Sequence, residues 1–284
     1  MNMYELEIKN ISVIQNHLGD AYYRINKNYI KAIKWFKLSA EQNNSDAQFN
    51  LGNMYYNGYG VDKNYTKAFE WFKLSAEQNN SDAQFNLGLC YYNGHGVDKD
   101  YMGALKWFKL SVEQNNSDAQ DYMGIMYYYG YGVNQDYIEA LKWFNLSAAQ
   151  NNQNAQFNIG FICYSGKYVD KDYPNAFEWF KLSAKQNNSM AQYYIGKMYY
   201  NGDGVEQNNL KALKWFKLSA DQNNKEAKQM IDNRMSINII LNDYFAMKKK
   251  IKNMDIYINH LEALPGGILY QESLADFYKL ANNE

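Results

Sequence analysis

Arginine is almost missing from this chain: it occurs at Arg24 and Arg234, and the other basic residues are lysines. Net charge is nearly missing as well. The 29 basic and 30 acidic residues leave −1, which supplies no overall attraction for nucleic acid or for an anionic membrane. Histidine is scarce, and His17, His95 and His260 stand apart from one another. Without a His-Glu-x-x-His, a Cys-x-x-Cys or an acidic calcium loop near them, metal binding has no support. No run approaches the roughly 18 uninterrupted apolar residues that a membrane helix requires, which argues against membrane insertion. The first ten residues carry Glu5 and Glu7 and lack the apolar stretch of a signal peptide. The expected location is therefore intracellular, in the cytoplasm.

Apolar residues (46%) and aromatics (17%) are plentiful, and they are distributed periodically. Trp-Phe pairs begin at Trp35, Trp71, Trp107, Trp143, Trp179 and Trp215, each 36 residues after the last. A fixed period of this length is the mark of a solenoid, so function is sought on a repeated surface.

Each unit reads as two antiparallel helices. In the clearest copy, Ser45-Asp46-Ala47-Gln48 fits a capping box, with Ser45 accepting from the backbone of Gln48 and Gln48 reaching back. Ala47, Leu51 and Tyr55 follow at spacing four, with Gly52 beside them, and form the apolar stripe of a first helix, helix A. Gly58 and Gly60 close it, because glycine takes the left-handed backbone of a helix end. Helix B opens near Asn64, a position filled by Asp100, Asp136 and Asp172 in later copies, all suited to an N-cap. Pro174 falls in this first turn, where a missing N–H costs nothing. Ala68, Trp71, Phe72, Ser75 and Ala76 carry the helix on to the paired Asn79-Asn80.

Glycine inside a helix costs about 1 kcal/mol relative to alanine, yet Gly52 recurs as Gly88, Gly124, Gly160 and Gly196. Close approach of the partner helix explains it, with the Trp-Phe pair supplying the bulk. If the indole is fully buried, Trp107→Ala is expected to cost roughly 3–5 kcal/mol. The first copy is degenerate: Leu18 to Tyr23 aligns with Leu51 to Tyr56, and three residues are missing from its turn. After Ile231 the pattern dissolves. Met230, Ile237, Leu241, Tyr244 and Ile251 suggest a long closing helix, Pro265-Gly266-Gly267 a break, and Leu274, Phe277 and Tyr278 a short last helix. The expected organisation is an N-terminal extension (1–12), a solenoid of about six helix pairs and the start of a seventh (13–231), and a non-repeat helical cap or tail (232–284).

The repeated pattern Ala-x3-Leu-Gly-x2-Tyr-x2-Gly-x-Gly-Val, then Lys-Ala and Trp-Phe, is carried by Ala47, Leu51, Gly52, Tyr55, Gly58, Gly60, Val61, Lys67, Ala68, Trp71 and Phe72. It resembles the Sel-one-like repeat family, relatives of the tetratricopeptide repeats. The resemblance implies an all-α fold, a right-handed α/α superhelical solenoid of helix-turn-helix repeats, and a role as a scaffold or adaptor that assembles protein complexes. One copy departs from the pattern: Ser165-Gly166-Lys167-Tyr168-Val169 places Tyr168 where the second glycine belongs, either as a tolerated loop variant or as a tyrosine offered to a partner. A secreted branch of the family bridges its helices with two cysteines per repeat, and β-lactam binding or hydrolysis is attributed to it. Here Cys90 and Cys163 occupy non-equivalent positions in different copies and read as buried thiols in a reducing compartment.

No constellation of catalytic type emerges. Ser39, Ser75, Ser111, Ser147, Ser183 and Ser219 recur without a base and read as packing residues. His95, between two turn glycines, reads as a solvated loop residue. No cofactor and no small-molecule substrate are expected.

Binding is the better prospect. By analogy with tetratricopeptide superhelices, helix A lines the concave face, with Asp46 and Asn57 on it. The column Asn53, Leu89, Ile125, Phe161, Lys197 varies most among otherwise repetitive positions and is the preferred partner-binding surface. Beside it run Phe49, Phe85, Asp121, Phe157, Tyr193 and Tyr56, Tyr92, Tyr128, Tyr164, Tyr200; aromatic rings anchor many interfaces but equally fill the space between repeats. Lys197 stands alone and Asp121 has the wrong sign for clamping a carboxylate, so an acidic C-terminal peptide is not the expected ligand. Helix B carries Lys34, Lys37, Glu70, Lys73, Lys106, Lys109, Glu178, Lys181, Lys214 and Lys217 on a mixed, solvated outer stripe, and Lys248-Lys249-Lys250 reads as a charged helix end. The expected function is a non-catalytic scaffold holding a partner protein segment. A regulatory or host-directed effector acting through the tail, and more remotely a hydrolase of the cysteine-rich kind, remain as alternatives.

Overall fold

A computed structural model of the chain describes residues 3–167 and 170–232, with Lys249 and Lys252, and side chains from Asn10 onward. The expectations for Tyr168, for the Lys248-Lys249-Lys250 run and for the closing helices after residue 232 lie outside the described residues. Those residues form thirteen helices and no strand. Helices A are α1 (Met3–Arg24), α3 (Ser45–Asn57), α5 (Ser81–Asn93), α7 (Ser117–Tyr129), α9 (Gln153–Ser165) and α11 (Ser189–Asn201); helices B are α2 (Tyr29–Ala40), α4 (Tyr65–Glu77), α6 (Tyr101–Glu113), α8 (Tyr137–Ala149), α10 (Tyr173–Lys185) and α12 (Asn209–Asp221). A short α13 (Lys225–Met230) follows. The residues set apart as an extension, up to residue 12, belong from Met3 to the same helix as the first unit.

Two compact units, Met1–Ala191 and Gln192–Glu284, divide the chain. In the first, each helix from α1 to α10 packs on its neighbours in sequence, A against B within a repeat and B against the next A. In the second, α12 packs on α13, and Phe216, Ala212, Ala220 and Ala227 form the buried cluster.

The paired asparagines have separate tasks. The first of each pair, Asn43, Asn79, Asn115, Asn151, Asn187 and Asn223, adopts φ between 61° and 70°, a left-handed backbone that asparagine tolerates better than other non-glycine residues. The second is the N-cap: Asn44 Oδ1 accepts from the backbone of Ala47 at 3.0 Å, and Asn80, Asn116, Asn152 and Asn224 do the same in their repeats. The cap therefore lies one residue before the expected Ser45. Gln48 does not reach back to that serine. It is buried, and it pairs with Gln78 of its own repeat, whose Nε2 donates to Gln48 Oε1 at 2.7 Å; both glutamines then donate across the repeat boundary to Asn43 Oδ1. The same arrangement joins Asn79, Gln84 and Gln114, then Asn115, Gln120 and Gln150, then Asn151, Gln156 and Gln186.

Helix B is also tied to helix A by the recurring serine. Ser75 Oγ donates to the carbonyl of Ser45 at 2.7 Å, and Ser39, Ser111, Ser147 and Ser183 repeat the bond at 2.6–2.8 Å. The hydroxyl satisfies a carbonyl in the first turn of helix A and is itself spent there.

Phenylalanine, not tryptophan, fills the core. Phe72, Phe108, Phe180 and Phe216 are fully buried, while the tryptophans before them are partly exposed. A Cβ at Gly52 would lie 2.5 Å from Phe72 Cδ1, and the helix A glycines Gly19, Gly88, Gly124, Gly160 and Gly196 stand against their own phenylalanines in the same way. The helical glycine thus makes room for the phenylalanine ring.

Candidate partner-binding surface

The columns expected on helix A separate into three environments. Asn53, Leu89, Ile125, Phe161 and Lys197 are all partly exposed. Asn53 lines a groove of about 320 Å³ between α1 and α3 with Asp20, Tyr23, Arg24, Phe49, Asn50, Asn57 and Tyr59. Ile125 and Phe161 line a smaller notch between α7 and α9 with Tyr128, Tyr129, Phe144 and Asn158. Leu89 packs on the buried cluster around Phe108 and Met123. Lys197 Nζ lies 5.6 Å from the ring centre of Tyr194.

The second column leans inward. Phe49, Phe85, Phe157 and Tyr193 approach the core phenylalanines Phe72, Phe108, Phe180 and Phe216 at 5.7–6.1 Å between ring centres. Asp121 breaks the series. It is buried, at 2% exposure, and its carboxylate accepts from Asn158 Nδ2 at 2.9 Å across the α7–α9 contact. Burial pushes its pKa up to about 7, against the lowering effect of the Asn158 hydrogen bond. Asp121 is consequently a joint between repeats, not a side chain presented to solvent.

The third column closes the hairpins. Tyr56, Tyr92, Tyr128 and Tyr164 each contact the first residue of the following helix B, Tyr65, Tyr101, Tyr137 and Tyr173, at 5.0–5.5 Å. Tyr128 is buried, Tyr200 packs on the Phe216 cluster, and burial raises the pKa of Tyr56 and Tyr92. His95 is part of this system and not a solvated loop residue. Its ring stacks on Tyr65 at 4.3 Å and its Nδ1 lies 2.8 Å from the Tyr56 hydroxyl. Tyr59 on Tyr29 and Tyr131 on Tyr101 hold the equivalent place, so the residue between the two turn glycines locks one repeat to the one before.

Two groups on this face had no sequence signal assigned to them. Asn50, which donates to Asn16 Oδ1 at 3.1 Å, and Asn158 bridge successive helices A. Their position one helical turn from Asp46 and Asn154 is the clue that was available. Among the described residues, no group of three or more His, Cys, Asp or Glu is placed to hold a metal ion. Cys90 and Cys163 are free and buried, and burial pushes the Cys90 thiol up to about 12, far from a reactive thiolate. No helix of the described residues is long and apolar enough to cross a membrane.

Helix pairs stacked at a fixed period, each satisfying its own backbone and offering a varied helix A edge, define an all-α repeat solenoid. The Sel1 repeat model matches residues 15–44, 45–80, 81–116, 117–152, 153–188 and 189–224, and the chain belongs to the Sel1 repeat family. Among solved structures it is similar to a Sel1 repeat protein from Oxalobacter formigenes, with 35% identity, a TM-score of 0.68, and coverage of 76% of this chain and 90% of that one. It is also similar to a protective antigen of uropathogenic Escherichia coli that displays the same repeat fold, with 29% identity and a TM-score of 0.66. That match takes in 94% of this chain and 61% of the antigen. A Sel1 repeat protein from Klebsiella pneumoniae, 24% identical over 72% of this chain and 99% of its own, shares the fold with a TM-score of 0.51. No curated protein matches the chain. Proteins of this family are generally non-catalytic scaffolds that bind other proteins.

Proposed function

We propose that the chain is a non-catalytic scaffold that holds a segment of a partner protein along the helix A face, centred on Asn53, Leu89, Ile125 and Phe161 in the first unit, with Lys197 the corresponding position of the second. The repeat region, taken as residues 13–231, carries the surface, and residues 232–284 are a cap or tail outside it. The mechanism is equilibrium binding, with no bond made or broken. One observation carries the reading: the positions that vary most from copy to copy are also partly exposed, and three of them line grooves between successive helices A. Positions that serve only to stack repeats stay the same along the chain, as Gly52, Phe72 and Ser75 do. A position freed from that duty can differ in each repeat and so encode a surface read along its length.

The test compares partners retained from a lysate of the source cells by the wild-type protein and by a Leu89→Ser, Ile125→Ser, Phe161→Ser variant of equal helicity by circular dichroism. A partner held by the wild type and lost by the variant is the expected result. If the same partners stay bound to the variant, the helix A reading is wrong.

A further inference from the structure

In α3, α5 and α7 the charged residues of helix A are all acidic. Helices α3, α5, α7 and α9 contain Asp46, Asp82, Asp118 and Asp121 and no Lys or Arg. Helices α4, α6, α8 and α10 carry both signs, with Lys67, Lys73, Lys106, Lys109, Lys142, Lys181 and Lys185 set among Glu70, Glu77, Glu113, Glu139 and Glu178. The exposed aspartates of helix A therefore have no basic residue on their own helix, whereas helix B balances its lysines with glutamates, three of them in Lys–Glu pairs.

The aspartates are held in place without being neutralised. Asp46, Asp82 and Asp118 are exposed, and each accepts one hydrogen bond from the N-cap amide of the next repeat: Asn80 at 3.0 Å, Asn116 at 2.9 Å and Asn152 at 2.8 Å. None of the four ion pairs of the described residues involves them. Asp121 lies one turn along from Asp118 and meets only the neutral amide of Asn158. That amide also lines the notch walled by Ile125, Tyr128, Tyr129, Phe144, Phe161 and Ile162. The face thus combines apolar and aromatic hollows with fixed negative charge. At the α1 end, Arg24 lies 3.7 Å from Asp20.

We propose, resting on the helix A reading above, that the segment bound there is basic: a partner peptide whose Lys or Arg groups pair with Asp46, Asp82 and Asp118. Its apolar side chains lie against Leu89, Ile125 and Phe161. Long basic side chains suit such a surface, because their methylene stems cover apolar atoms while the charged head stays at the rim, and a cation is also attracted to a tyrosine face. The chain's own Lys63 and Lys99 take that position, 4.8 and 4.9 Å from the ring centres of Tyr65 and Tyr101. Packed helices lie about 10 Å apart and an extended chain advances about 3.3 Å per residue. Aspartates on successive helices A therefore match basic residues spaced about three apart.

A phage-displayed library of random peptides selected on the full-length protein tests this, with Asp82→Asn/Asp118→Asn and Leu89→Ser/Ile125→Ser variants as counterparts. The asparagine pair keeps an oxygen to accept from Asn116 and Asn152, so the repeat contacts survive. Enriched peptides are expected to carry Lys or Arg about every third residue. A synthetic copy should bind the asparagine variant about fivefold more weakly, with a smaller difference at high salt. Acidic peptides, no enrichment, or basic peptides held equally well by the asparagine variant would overturn the inference. Neutral peptides that lose binding only to the Leu89→Ser/Ile125→Ser variant would overturn it too, while leaving the helix A reading intact. Binding insensitive to both variants removes both.

Discussion

At the scale of single residues, the missing side chain of Gly88 and the ring of Phe108 are one feature. A Cβ there would stand 2.5 Å from Phe108 Cε1, so helix A accepts about 1 kcal/mol of helix propensity loss to seat a ring with no exposed surface. Removing that ring leaves a cavity lined by Ala104, Leu105, Met123 and Met126. Phe108→Ala is expected to cost about 3–5 kcal/mol, and Trp107→Ala distinctly less, since the indole is only partly buried. Urea denaturation of the two variants side by side checks the order; a larger loss from Trp107→Ala would show that the indole holds the repeat. The aromatic pair and its period were legible in the sequence. Which member of the pair points inward was not, because both residues lie within one turn and either ring can face the glycine stripe. The cap was misplaced for a similar reason: Asn44 and Ser45 are adjacent and both competent to cap, and only the left-handed turn at Asn43 decides between them.

At the scale of elements, polar groups as well as apolar ones join one helix pair to the next, and the polar contacts were the least legible. Gln48 and Gln78 bond to Asn43, His95 stacks on Tyr65, and Asp121 meets Asn158. Sequence spacing puts a residue on a helix face, but it does not say which neighbour that face meets one repeat away. The Asp121–Asn158 joint has a consequence for pH. The folded carboxyl titrates at about 7, above its ordinary value of 3.8, because burial disfavours the charged form. The folded state holds this proton more tightly than the unfolded state. The associated stability is therefore fully present below about pH 4 and is lost as pH rises through about 7. Replacing Asp121 by Asn removes the charge and leaves an amide that Asn158 can still engage. Asp121→Asn is expected to raise the melting temperature at pH 8 and to have little effect at pH 4. Melting curves of both proteins at the two pH values decide it, and equal shifts at both would mean that Asp121 is already neutral, or already charged, throughout.

At the scale of the whole molecule, stability is the sum of what each repeat contributes and what each junction adds. In the first unit, helices α1 to α10 pack on their neighbours in sequence, so no distant segment supports a weakened repeat. The Phe108→Ala loss of about 3–5 kcal/mol is then felt first in α5 and α6, which carry Gly88 and the ring itself, and next in α7, whose Met123 and Met126 share its cluster. Opening that pair also breaks its junctions with α4 and α7, including the Gln84 and Gln114 bonds to Asn79 and the Tyr122 contact with Phe108. The hydrogen bonds of a junction, each worth about 1 kcal/mol net, together with ring contacts such as Tyr122 on Phe85 and Phe108 and Tyr131 on Tyr101, are at least comparable in size to the cavity penalty. Loosening therefore spreads to α4 and α7 but fades before α9 and α10. Backbone hydrogen exchange followed by mass spectrometry reads this directly. In Phe108→Ala, amides of residues 81–113 are expected to exchange markedly faster than in the wild type. Those of residues 65–77 and 117–129 should exchange moderately faster, and those of residues 153–185 nearly unchanged. A uniform acceleration across all of these segments would mean that the first unit opens as one cooperative body, and stability would then have to be assigned to the unit and not to its repeats.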